Sequence, residues 1–121
     1  MHNPNFASTN LNYGASKNAA ALLLKLMARN VSVDEIHILS FHPGAVLTET
    51  ARAYGYDENS LPWDDVDIHG HFFVWAASEE AKFLHGRFVY ATWDVTELPS
   101  AAVRALLDED SDFLKIGGKG L

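Results

Sequence analysis

The sequence contains no cysteine. This excludes disulfides, thiolate catalysis and zinc-thiolate sites, and it permits a reducing compartment. Basic residues are also few, because 9 Lys and Arg face 16 Asp and Glu and leave a net charge of −7. A chain with this balance cannot neutralise a row of phosphates, so we expect no nucleic acid among its partners.

Long apolar runs and targeting segments are lacking as well. The start, "MHNPNFASTN", has neither the basic region nor the apolar region of a signal peptide. No apolar run approaches the roughly 20 residues that cross a bilayer. The 121 residues are 48% hydrophobic and 21% charged, which is ordinary for one globular domain. We therefore expect a cytoplasmic protein with no membrane contact.

The stretch "NLNYGASKNAAALLLKLMARN" predicts a helix over about residues 13–29. The dozen residues before it are typical of a loop, and four of them are candidate helix caps: Ser8, Thr9, Asn10 and Asn12. Residues 19–24 are apolar without a break. We therefore expect this helix to be covered on two sides.

The rest of the chain alternates between strand and helix patterns. "EIHILSFHPG" and "RFVYATWDV" favour two strands of a parallel sheet. A short helix should end at Gly55, a longer one should run from a cap at Asp64 or Asp65 to about Leu84, and Ser100 should cap the last. The tail "FLKIGGKGL" is flexible or docks on the domain. This order predicts an α/β protein with a parallel sheet, although two strands make a poor sheet by themselves.

Tyr13 and Lys17 are the candidate catalytic residues. Residues four apart share one face of a helix, so a phenol and an ammonium can point into the same pocket. A phenol in water loses its proton only near pH 10, and a neighbouring cation favours the phenolate. A tyrosine tuned in this way can exchange a proton with a carbonyl or hydroxyl oxygen. The alternative is a helix start with a partly exposed Tyr and a solvated Lys.

The flanks of this pair carry a family resemblance. "YGASK", an Ala/Leu-rich helix and a strand ending in "HPGAVLTET" resemble the C-terminal half of the short-chain dehydrogenase/reductase family. "GHFFVWAASEEAKFLHGRFVYATWDVTEL" is similar to fungal members in particular. The resemblance covers about residues 5–114. It implies that residues 1–121 form the C-terminal half of a Rossmann-type doubly wound parallel sheet, an incomplete domain whose nucleotide-binding half is absent.

The resemblance also implies the activity and the roles of six residues. The family is an NAD(P)-dependent oxidoreductase family, using NAD or NADP, that interconverts small-molecule carbonyls and alcohols, commonly as an oligomer. Tyr13 would donate or accept the proton, and Lys17 would favour its phenolate and bind the nicotinamide ribose. The motif P-G-x-x-x-T matches Pro43, Gly44 and Thr48, so that Val46 through its backbone and Thr48 through its hydroxyl would contact the nicotinamide carboxamide.

Three parts of the family pattern are missing from the sequence. No Gly-rich loop of the kind that holds a cofactor pyrophosphate follows a strand and opens a helix. The family's catalytic Ser would fall at or before the start of the sequence, and Ser8 and Thr9 lie too close to Tyr13 to replace it. The family's relay Asn is absent too, since spacing gives Asn3, Asn5, Asn10 and Asn12 no claim to it. We therefore expect a truncated chain that is inactive alone.

Other candidate sites have simpler structural explanations. His69 and His71 would lie roughly 200° apart on a helix, so they do not converge on a metal, and we expect surface or hydrogen-bonded histidines. "DEDSD" is typical of a solvated helix end, and "FFVW" at residues 72–75 indicates burial on several sides. Three aromatic residues in the loop after Gly44 could line an apolar substrate pocket: Tyr54, Tyr56 and Trp63.

A second hypothesis comes from outside catalysis. The chain could be a non-catalytic binding or assembly module that docks on a full-length homologue. Without the family's preceding helix, the apolar face of residues 19–27 would be exposed, and this would favour a homo-oligomer or hetero-oligomer.

Overall fold

The structure is a computed structural model, and it describes residues 11–117. Its elements follow the alternation expected from the sequence. They are α1 (Leu11–Ala28), β1 (Ser40–His42), α2 (Glu49–Ala53), α3 (Val66–Ala76), a 3-10 helix (Glu79–Leu84), β2 (Phe88–Tyr90) and α4 (Ala101–Glu109). Ser8, Thr9 and Asn10 lie outside the described residues, and Asn12 lies inside α1 and does not cap it.

The two strands pair in parallel, as the sequence predicts. Ser40 is opposite Phe88, Phe41 opposite Val89 and His42 opposite Tyr90. In the described part of the chain they form a two-stranded sheet. Parallel strands need a crossover connection, and here α2, α3 and the 3-10 helix supply it. The two strands therefore form one small parallel sheet whose strands are joined by helical segments.

The core lies beside the sheet and under α3. Its buried apolar residues are Phe72, Ala76, Leu84, Val89, Ala91 and Leu98. Phe72 and Ala76 lie on one face of α3, and Phe41 of β1 packs against Phe72 with ring centroids 5.1 Å apart. The core thus holds the strand end that carries the Pro43-Gly44 turn against α3.

The caps of the shorter helices agree with the sequence, and the length of one helix does not. Asp65 caps α3 by accepting from the Asp67 amide, and Ser100 caps α4 by accepting from the Val103 amide. The prediction of one helix to about Leu84 is wrong, because α3 ends at Ala76 and a 3-10 helix follows. The Ser78 hydroxyl donates to the Trp75 carbonyl oxygen at 2.6 Å and helps to satisfy the end of α3.

α1 is less covered than its composition suggests. Within the described residues of α1, only Gly14 and Ala28 are buried. The expectation that α1 is covered on two sides is wrong, and the expected exposure of its apolar face is confirmed at Leu22, Leu23, Leu24, Leu26 and Met27. The contiguous burial expected at residues 72–75 is also wrong, because Phe73 and Val74 are exposed.

His85 anchors the C-terminal end of α1. Its Nδ1 accepts from the Ile38 amide at 3.1 Å, so its Nε2 carries the proton of the neutral ring. That Nε2 lies 3.0 Å from the Ala28 carbonyl oxygen and 3.2 Å from the Val31 carbonyl oxygen. One imidazole therefore connects the end of α1 to the chain that leads into β1.

The described part of the C-terminal tail docks on the domain, which is one of the two alternatives expected from the sequence. The Leu114 carbonyl oxygen accepts from the Phe88 amide at 2.6 Å. The Arg87 guanidinium donates to the carbonyl oxygens of Leu107 and Phe113, and burial lowers the pKa of Arg87. Phe113 and Leu114 are thereby held beside β2.

Candidate active site

Tyr13 and Lys17 lie on the same face near the start of α1. The Lys17 Nζ is 5.6 Å from the centroid of the Tyr13 ring, so the ammonium lies beside the aromatic ring as the spacing of four predicts. Tyr13 is 43% exposed and Lys17 is exposed. The pair is therefore accessible to a ligand.

An open cleft of about 810 Å³ separates α1 from the sheet. Tyr13 and Lys17 form part of its α1 wall, and Pro43 and Gly44 lie on the opposite side at the end of β1. Further lining residues are mostly apolar or aromatic: Leu24, Phe41, Tyr56, Phe88 and Tyr90. The cleft thus brings the predicted catalytic pair to the carboxyl end of a parallel strand, where open α/β sheets bind ligands.

Gly44 makes the turn at this strand end. Its φ of +92° is a conformation that residues with a side chain rarely adopt. A Cβ at this position would also lie 2.6 Å from Asp64 Oδ2 and 2.6 Å from His69 Nε2. Both the backbone angle and the close approach of these two side chains therefore require glycine.

Two side chains hold the turn from either side. Asp64 Oδ2 accepts from the Ala45 amide at 2.8 Å, and the Asp64 amide donates to the Ala45 carbonyl oxygen at 2.7 Å. His42 Nδ1 accepts from the Gly44 amide at 2.9 Å, and its ring packs on Tyr90 with centroids 5.4 Å apart. The backbone of residues 43–45 is thereby fixed relative to both strands.

Val46 and Thr48 lie further along the chain and outside the cleft lining. The Thr48 hydroxyl accepts from the Ala51 amide at 3.1 Å and caps α2, and the Thr48 amide donates to the Val46 carbonyl oxygen at 3.0 Å. Of the six predicted residues, four therefore meet at the cleft and two do not.

The three aromatic residues of the following loop are placed differently. Tyr56 lines the cleft, and the Trp63 ring packs edge-on against it with centroids 6.0 Å apart. Trp63 Nε1 donates to the Asp57 carbonyl oxygen at 2.7 Å, which fixes the ring. Tyr54 is 62% exposed and does not line the cleft. The loop thus contributes one aromatic wall and its support.

Asp64 and His69 are site residues that the sequence does not assign to the site. The sequence suggests Asp64 only as a helix cap, a role that Asp65 takes. The expectation of a surface or hydrogen-bonded His69 is wrong, because this residue is buried and has no hydrogen-bond partner among the described residues. Its spacing to Phe72 and Ala76, three and seven residues on, is the helical signal that could place it on the buried face of α3.

Between residues 11 and 117, no group of three or more His, Asp or Glu side chains is arranged to hold a metal ion. None of the helices in this range is long and apolar enough to cross a membrane.

Comparison with known proteins finds fungal relatives over most of this chain. A short chain dehydrogenase/reductase of Claviceps purpurea is 43% identical over 107 residues, which cover 87% of this chain and 36% of the relative. The short chain dehydrogenase/reductase AacuD of Aspergillus aculeatus is 39% identical over 105 residues, with 87% and 36% covered. The chain is homologous to fungal short-chain dehydrogenase/reductases. This confirms the resemblance found in the sequence.

The match covers only part of each relative. A third short chain dehydrogenase/reductase, nsrO of Aspergillus novofumigatus, is 42% identical over 109 residues, which cover 87% of this chain and 37% of the relative. The chain thus spans just over a third of the length of these short-chain dehydrogenase/reductases. No family model and no solved structure matches it.

Proposed function

We propose that this chain carries the proton-transfer part of an NAD(P)-dependent oxidoreductase that interconverts a carbonyl compound and an alcohol. The observation that carries the proposal is the cleft, which has Tyr13 and Lys17 on one wall and the Pro43-Gly44 turn on the other. Homology to fungal short-chain dehydrogenase/reductases supports it over 87% of the chain.

Tyr13 acts as the general acid in the reducing direction. Its phenol donates a proton to the carbonyl oxygen of the substrate, and in the oxidising direction the phenolate accepts the proton of the alcohol. The Lys17 ammonium lies beside the Tyr13 ring and would donate to the ribose hydroxyls of the cofactor.

The residues after β1 bind the nicotinamide end of the cofactor. Pro43 and Gly44 present backbone at the cleft, whereas Val46 and Thr48 lie outside its lining and would have to reach the carboxamide from there, Val46 through its backbone and Thr48 through its hydroxyl. Thr48 Oγ1 accepts from the Ala51 amide, which leaves its own hydrogen for such a bond.

The cleft fits a nicotinamide nucleotide by size and by chemistry. Its volume of about 810 Å³ lies within the range of small-molecule sites, and Lys17 supplies a cationic donor on a largely apolar wall. When bound, the cofactor supplies the hydride that Tyr13 cannot. The substrate pocket continues toward Tyr56, whose ring suits an apolar carbonyl compound.

The two-stranded sheet is, in this proposal, part of a larger doubly wound Rossmann-type sheet. Residues 1–121 contribute a partial domain, and the pyrophosphate is held by a Gly-rich loop that this sequence does not contain. Tyr13 and Lys17 are therefore inactive unless a nucleotide-binding part is joined to them.

A chimera tests the proposal. The 121-residue chain replaces the matching segment of the Claviceps purpurea relative, and NADPH and NADH oxidation is followed with a panel of aromatic and aliphatic ketones. We expect turnover by the chimera and none by the 121-residue chain alone. Micromolar NADPH binding with turnover by the chain alone would contradict the proposal that the chain is inactive by itself.

Three variants of the chimera test the residue roles. Tyr13→Phe should lower kcat by about a hundredfold or more, since it removes the proton donor. Lys17→Met should lower kcat and weaken cofactor binding. Tyr54→Phe is the matched control, because Tyr54 is exposed and does not line the cleft, and it should leave kcat unchanged. Equal rates in all three variants would refute the assignment of Tyr13.

A second candidate function is that of an assembly module. The exposed side chains of Leu22, Leu23, Leu26 and Met27 support it, because a soluble protein rarely leaves such an apolar stripe uncovered. The chain would then form a complex with a full-length homologue. Sedimentation of the chain mixed with the Claviceps purpurea relative distinguishes the two candidates, since assembly predicts a new complex that Leu23→Lys abolishes while Tyr13→Phe does not.

A further inference from the structure

His69 is a buried polar side chain whose purpose the proposed function leaves open. It is 9% exposed, and neither ring nitrogen has a hydrogen-bond partner among the described residues. A neutral imidazole always carries one N–H, and buried donors in folded proteins nearly always find an acceptor. The atoms around the ring therefore indicate which acceptor the His69 N–H uses.

The ring points at the turn that ends β1. A Cβ on Gly44 would lie 2.6 Å from His69 Nε2 and 2.6 Å from Asp64 Oδ2. Both atoms flank the same point above Gly44, so they are no more than twice 2.6 Å apart. One water molecule with two ordinary hydrogen bonds spans such a gap.

Asp64 already forms two hydrogen bonds with Ala45 in the turn. Its Oδ2 accepts from the Ala45 amide at 2.8 Å, and its own amide donates to the Ala45 carbonyl oxygen at 2.7 Å. An ionised carboxylate has about four acceptor positions, so Oδ2 can accept a second donor. His69 Nε2 makes no direct hydrogen bond among the described residues, so a bridging water is the route by which it reaches Oδ2.

We propose that His69 is a positioning residue for the turn of residues 43–45. Its Nε2–H donates to the Asp64 carboxylate through one bridging water, and this holds the carboxylate on the Ala45 amide. The role of the turn in nicotinamide binding rests on the proposed function, whereas the hydrogen-bond chain from His69 through Asp64 to Ala45 does not.

Amide hydrogen exchange in the 121-residue chain tests the chain of contacts. His69→Leu fills a similar volume without a donor, and the Ala45 amide should then exchange about tenfold faster, as expected when a local hydrogen bond is weakened. The Ala91 amide, which donates to the His42 carbonyl oxygen at 2.9 Å, is the internal control and should keep its rate. His69→Gln, which retains an N–H donor, should restore slow exchange at Ala45. Unchanged Ala45 exchange in His69→Leu would overturn the proposal.

A measurement on the unmutated chain covers the case in which His69→Leu does not fold. Nitrogen-15 chemical shifts of the His69 ring report which nitrogen carries the proton. The proposal requires the proton on Nε2, and a ring protonated only on Nδ1 would overturn it.

The chimera separates this proposal from the proposed function. If both hold, His69→Leu should raise KM for NADPH severalfold while kcat changes less, and His69→Gln should restore KM. A chimera with no activity, in a chain whose Ala45 exchange still depends on His69, would refute the proposed function and support the positioning role. An active chimera with unchanged KM and unchanged Ala45 exchange in His69→Leu would support the proposed function and refute the positioning role.

Discussion

The Lys25 Nζ donates to the carbonyl oxygen of Ile116 at 3.0 Å, joining residues that are 91 positions apart. The Lys25 side chain is 13% exposed and also lies 3.5 Å from Asp112 Oδ1. This one ammonium ties α1 to the C-terminal segment. Since α1 has few buried residues, contacts of this kind are important for holding it on the domain.

Lys25→Met should therefore lower the free energy of unfolding by about 1 to 2 kcal/mol, because a part-buried carbonyl loses its charged donor while the aliphatic stem is kept. Urea unfolding of the two proteins measures the difference. Arg29→Met is the matched control. Arg29 is 55% exposed and 3.8 Å from Asp112 Oδ1, so its removal should cost less than about 0.5 kcal/mol. Equal losses would show that the Ile116 contact is unimportant.

Gly44→Ala should destabilise the chain more than Gly55→Ala. Both glycines have positive φ, +92° at Gly44 and +87° at Gly55, so each substitution strains the backbone by about 1 kcal/mol. Only at Gly44 would the new methyl group meet Asp64 Oδ2 and His69 Nε2, whereas Gly55 has open space. We expect a total loss of about 2 to 4 kcal/mol at Gly44. Urea midpoints compare the two, and a larger loss at Gly55 would contradict the geometry of the turn.

His37 should make stability depend on pH. Burial, and then the electrostatic effects of His85 and Lys82, hold the pKa of His37 below its usual 6.5, although Glu79 opposes this. The unfolded chain therefore binds the proton more readily. The contribution of His37 to stability is complete above pH 6.5 and is lost as the pH falls below it.

Urea unfolding at a series of pH values from about 8 to about 5 measures this dependence. His37→Gln, which cannot titrate, should flatten the profile below pH 6.5 relative to the unmutated chain. Identical slopes in the two proteins would show that another group is responsible.

Thr48 should contribute both to the stability of α2 and to cofactor binding. Thr48→Val removes the oxygen that accepts from the Ala51 amide, so α2 should lose about 1 kcal/mol of capping. In the chimera, the same change should weaken nicotinamide binding, and Thr48→Ser should preserve both properties. Asp65→Ala is the control, since it removes the cap of α3 and should cost similar stability without changing the KM for NADPH. A similar rise in KM from Asp65→Ala would assign the effect to stability alone.

Local patterns in the sequence are enough to predict most elements. The apolar runs around Phe41 and Val89 predict the two strands and their parallel pairing, and Ser100 marks the start of α4. The break after Ala76 is hard to predict because residues 66–84 have a continuous helical composition. The sequence does contain a signal for it, since Ser78 followed by Glu79 and Glu80 is typical of a new helix start.

The site is predictable only as far as its motifs extend. Tyr13, Lys17, Pro43 and Gly44 belong to short patterns, and they do meet at one cleft. Asp64 and His69 approach Gly44 from 20 and 25 residues further along the chain, and no local rule specifies that distance. The exposure of α1 depends on which other elements are present to cover it, which the composition of the helix cannot reveal.

The docked C-terminal segment determines where the sheet can grow. Arg87 and Ala91 use their backbone to bond β1, so the Phe88 amide faces away from β1, and it is occupied by the Leu114 carbonyl oxygen. A strand arriving at that side would first have to displace the backbone at Leu114. Among the described residues, no backbone group bonds Phe41 on the side away from β2, so additional strands should pair beside β1.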